Sequence, residues 1–141
     1  MQADEKSLDN NQGKMTDIKD ETSIKILVDD FYTSVRGDLL LGPVFAEAIG
    51  GDWKPHLDKM YLFWNAALFG KPGFKGNPFM KHLPLPIKAD HFERWVDLFG
   101  LTVDKHFNGV VAEDAKKRAG VMSLMFQHKL FSARDKSKII F

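Results

Sequence analysis

The sequence predicts an all-α fold, on three observations. Apolar side chains recur at helical offsets in several separate stretches, glycines and prolines fall between those stretches, and no alternating run of five residues reads as a strand. About four substantial helices and two short ones are expected.

Each element follows from its own pattern. Residues 1–21 hold only scattered apolar side chains (Leu8, Met15, Ile18) among polar ones, so they read as a flexible tail. From Thr22 a helix places Ile24, Leu27, Val28, Phe31, Tyr32 and Val35 on one face, and Gly37 ends it. Pro43 suits the first turn of a short helix through Val44–Ile49, which Gly50–Gly51 stop. Asp52 can cap the next helix, with Pro55 tolerated in its first turn. That helix carries two adjacent apolar stripes, His56, Met60, Phe63, Ala67 and Trp53, Leu57, Trp64, Leu68, and must be covered on two sides. Gly70 closes it.

The stretch GKPGFKGNP (70–78) is a loop, and Phe79–Leu83 can form little more than one turn before Pro84 and Pro86. Asp90 and Glu93 read as a capping box opening a helix with Phe92, Val96, Phe99, Val103 and Phe107 on one face. Asn108–Gly109 break it. A last helix carries Val111, Ala115, Ala119, Met122, Phe126 and Leu130. The domain reading is a tail over 1–21, one globular domain over 22–131 and a C-terminal tail over 132–141.

Composition narrows the function. With 20 basic and 19 acidic residues the net charge is +1, too little surplus for binding nucleic acid by bulk electrostatics. The absence of cysteine excludes disulfide frameworks, thiolate metal sites, iron–sulfur clusters and cysteine nucleophiles. No apolar run reaches the roughly 18 residues of a membrane helix, and the polar start does not read as a secretory signal. A soluble cytoplasmic protein is expected, a monomer with no nucleic-acid or membrane partner. The 12 Phe and 3 Trp are a heavy aromatic load for 141 residues.

His82 stands in Phe79-Met80-Lys81-His82-Leu83-Pro84-Leu85-Pro86, a stiff turn among bulky apolar groups. Such a setting can hold one imidazole against a large flat partner, as haem iron requires, or it can leave a loop histidine without a role. His56, on an apolar stripe one turn before Met60, is either a hydrogen-bonded core residue or a site residue. Tyr32 and Trp95 read equally as core aromatics. His91, His106 and His128 read as solvated.

The assembled pattern resembles group III (the P group) of the truncated haemoglobins. The residues that carry it are Phe31-Tyr32 with Val35-Arg36, Leu41-Gly42-Pro43-Val44-Phe45, Ala48-Ile49-Gly50 and Trp53-Lys54 with His56. Phe63-Trp64, Lys81-His82-Leu83, and His91-Phe92 leading to Trp95 and Leu98-Phe99 complete it, over about residues 22–131. The resemblance implies a two-over-two helical sandwich around haem b (iron protoporphyrin IX), with His82 as the proximal iron ligand. Tyr32, His56 and Trp95 match the polar distal positions, Phe45 the aromatic wedged against the macrocycle, and Met60, Phe31 and Phe63 the apolar pocket wall.

The function so implied is binding of O2, NO or CO, with the Tyr32 hydroxyl and the Trp95 indole N–H as two separate donors to the ligand. The alternatives are an enzyme for NO dioxygenation or peroxide chemistry, dependent on a separate reductase, and a haem-free helical interaction module.

Overall fold

A computed structural model of the chain describes residues 15–76 and 86–139. The described residues form five helices and no strand: α1 (Glu21–Gly37), α2 (Leu41–Ile49), α3 (Lys54–Phe69), α4 (Ala89–His106) and α5 (Val110–Ile139). Two helical pairs, α1 with α3 and α4 with α5, are stacked so that α1 meets α4 and α3 meets α5, while α2 packs on α1. None of the described helices is long and apolar enough to cross a membrane.

α1 forms because its apolar residues share one face and because Asp20 caps it. The Asp20 carboxylate accepts from the Ser23 N–H at 2.9 Å. Every residue expected on the inner face, from Ile24 through Val35, is buried. The turn into α2 is built on Asp38, whose carboxylate accepts from the N–H groups of Leu40 (3.1 Å) and Leu41 (2.9 Å) and from Arg94 Nε (2.7 Å). The short helix thus begins three residues before Val44. The chain is tight here: a Cβ on Gly42 would lie 2.9 Å from the Arg36 carbonyl oxygen. Asp52 Oδ1 accepts from the Lys54 N–H at 3.1 Å as α3 opens, and Gly70 ends that helix in the left-handed region at φ +67°.

Two expectations are corrected. Asp90 and Glu93 do not form the box that opens α4; the helix begins at Ala89, and the His91 imidazole supplies the acceptor for the Lys88 N–H. His106 is not simply solvated: its Nε2 lies 2.6 Å from Asp30 Oδ2, joining the end of α4 to α1. Within the segment expected as an N-terminal tail, residues 17 and 18 make tertiary contacts. Ile18 is buried in the core, and Asp17 accepts from Val111 N (2.9 Å) and Ala112 N (2.8 Å) to cap α5. At the other end, α5 runs past 131 into the segment set apart as a tail.

The core centres on aromatic rings. Phe99 is stacked with Trp64 at 4.8 Å and with Trp95 at 5.8 Å, and Phe31 meets it edge-on at 5.2 Å. Small residues on α5 (Ala112, Ala115, Ala119) are fully buried and let that helix approach the others closely.

Candidate functional site

A cavity of about 470 Å³ opens between the helical pairs. α3 contributes His56, Lys59, Met60 and Phe63, which share one face because they are spaced by three, four and seven residues. α2 contributes Val44 and Phe45, α4 His91, Phe92 and Trp95, and α5 Met122, Ser123 and Phe126. Tyr32 enters from α1, and Phe74 and Lys75 from the segment after α3. The adjacent stripe of α3, with Leu57 and Leu68, packs against the core, so this helix is covered on two sides.

The polar groups gather at one place. The Tyr32 and His56 rings meet edge-on with centroids 4.8 Å apart, and Trp53 lies 5.9 Å from the His56 ring. The His56 Nε2 is buried, turned into this aromatic group instead of toward solvent. Burial pushes the Tyr32 phenol well above the usual tyrosine range, while the Trp95 indole works against that rise. Tyr32 is therefore neutral around pH 7 and keeps its hydroxyl hydrogen to donate. Trp53 is held in place by the Arg36 guanidinium, 4.7 Å from its ring.

The expected site residues are distributed as follows. Tyr32, His56, Trp95, Phe45, Met60 and Phe63 all line the cavity. Phe31 does not: it stands behind the wall, buried and edge-on to Tyr32 (4.8 Å) and Trp95 (5.6 Å). Phe31 faces the core instead, edge-on to Phe99 at 5.2 Å. His82 lies outside the described residues. Sequence reasoning missed Lys59, Lys75 and His91; the offset of three from His56 to Lys59 and of four from His91 to Trp95 could have found two of them.

Known proteins are similar to this chain. Residues 17–131 match the bacterial-like globin family. The group 3 truncated haemoglobin of Campylobacter jejuni is 36% identical over 115 residues, covering 79% of this chain and 91% of that protein. This chain belongs to the truncated haemoglobins, group III. The crystal structure of the group III truncated haemoglobin from Campylobacter jejuni superposes with a TM-score of 0.78 at 34% identity, over 83% of this chain and 95% of that one. A tryptophan-to-leucine mutant of the group II truncated haemoglobin from Bacillus anthracis gives 0.67 at 26% identity, over 78% and 85%.

Truncated haemoglobins carry haem, and the cavity fits such a group by its chemistry. Phe45, Phe63, Phe74, Phe92 and Phe126 offer apolar ring faces for a macrocycle, Tyr32, His56 and Trp95 form a compact polar end, and Lys59 and Lys75 bring cations to the same space.

Proposed function

We propose that this truncated haemoglobin holds haem b and reversibly binds a diatomic gas, O2, NO or CO. Ferrous haem supplies the iron site at which such a gas binds. His82, by its match to the family's proximal position, would provide the iron with its protein nitrogen. Phe45, Met60 and Phe63 form apolar wall around the macrocycle, and Lys59 and Lys75 are cations suited to its carboxylates.

The observation that carries this reading is that Tyr32, His56 and Trp95 line one end of an otherwise aromatic cavity. The Tyr32 hydroxyl and the Trp95 indole N–H are its donors toward the ligand. His56 closes the same polar end. Burial excludes competing water, so these donors act at low local dielectric.

Absorption spectra of the ferric, ferrous and carbonyl forms test the proposal. The expected result is a Soret band that shifts with oxidation state and with carbon monoxide, and loss of stable haem uptake in His82→Ala. Protein that shows no Soret band after haem is offered would overturn the reading.

A further inference from the structure

His91 lies on the cavity wall one turn before Trp95, and the function proposed above gives it no task. Its side chain is only 13% exposed. The Lys88 N–H donates to its Nδ1 at 3.0 Å. A ring nitrogen that accepts a hydrogen bond carries no hydrogen, so in the neutral imidazole the hydrogen sits on Nε2. Protonation changes the partner without changing that outcome. Asp90 Oδ1 is 3.3 Å from Nδ1, so a charged ring exchanges the Lys88 N–H for the Asp90 carboxylate and still keeps its Nε2–H. In both states His91 offers a donor, and in neither does Nε2 have a lone pair for a metal.

Ile87 and Phe92, close to it in the sequence, also line the cavity. A largely apolar wall that carries such an N–H selects a ligand that is apolar in its body and carries an acceptor at its edge. Iron protoporphyrin has this character: a flat hydrocarbon ring bearing two carboxylates.

We propose that His91 is a cofactor-binding residue whose Nε2–H donates to a haem carboxylate, while Lys88 and Asp90 fix the ring through Nδ1. This rests on the haem reading and extends it. The competing role is purely structural, with His91 serving only as the cap acceptor of α4.

Two variants separate these roles. His91→Phe keeps an apolar wall but removes both nitrogens. His91→Glu keeps an acceptor for the Lys88 N–H and suits the helix N-terminus, yet sets a negative charge against the carboxylate. The readout is the rate at which reconstituted holoprotein gives up haem to excess apomyoglobin. Loss is expected to be about tenfold faster in His91→Phe, the loss of one hydrogen bond to a charged group, and faster again in His91→Glu. With haem dimethyl ester, which has no carboxylates, His91→Phe and the wild type should release alike. Wild-type retention in His91→Glu, or the same ranking with the diester, would overturn the proposal. Wild-type protein that takes up no haem would fail the haem reading itself and the His91 assignment with it.

Discussion

The Tyr32 ring meets the His56 imidazole edge-on, with centroids 4.8 Å apart, in the cavity that Trp95 also lines. Replacing Tyr32 with Phe removes a buried donor from this polar end, and O2 release should quicken roughly tenfold, as for loss of one buried hydrogen bond. Trp95→Phe removes a second donor and should quicken release by a similar factor. Stopped-flow O2 dissociation checks both, and an unchanged rate in either variant would remove that residue from the distal donors.

Legibility in the sequence followed how local each determinant is. The inner face of α1 could be read off because the 3.6-residue period alone selects Ile24 to Val35. The α3 face of His56, Met60 and Phe63 was legible for the same reason. The start of α4 was not: the acceptor there is an imidazole three residues in, outside the usual Ser, Thr, Asp and Asn vocabulary. Asp17, Ile18 and His106 find their partners at sequence separations that no local pattern encodes, such as Asp17 with Val111 and His106 with Asp30.

The Asp30 carboxyl joins α1 to the end of α4, accepting from His106 at 2.6 Å and pairing with Lys105 at 3.1 Å. The His106 hydrogen bond is the chief reason its pKa falls below the usual carboxylate value. A folded pKa lower than the unfolded one contributes stability that is complete above about pH 4 and is lost as pH falls through the folded value. Asp30→Asn should therefore lower the urea midpoint at pH 7, with the gap to wild type closing as the pH falls below about 4. Urea titrations across that range check it; a gap that stays constant would remove the Asp30 carboxylate from the account of acid stability.

Asp17 and Gly109 share one small volume at the start of α5. Gly109 has φ +151°, a conformation that side chains rarely adopt, and a Cβ there would overlap the Asp17 carboxyl group, which lies 2.5 Å away at Oδ2. Burial raises the Asp17 pKa, but hydrogen bonds from the N–H groups of Val111, Ala112 and Ile18 outweigh it and leave the carboxyl below its usual value. Asp17→Ala should destabilise the protein by about 1–2 kcal/mol, the loss of a helix cap. Gly109→Ala should cost more than that cap, since it adds backbone strain and forces the carboxylate off the N–H groups it serves. In the Asp17→Ala background the overlap is gone and only the strain remains, so Gly109→Ala should cost less there than in the wild type. A double-mutant cycle by urea unfolding measures the difference. Equal costs in the two backgrounds would show that Asp17 moves aside freely and that the glycine is kept for its backbone angle alone.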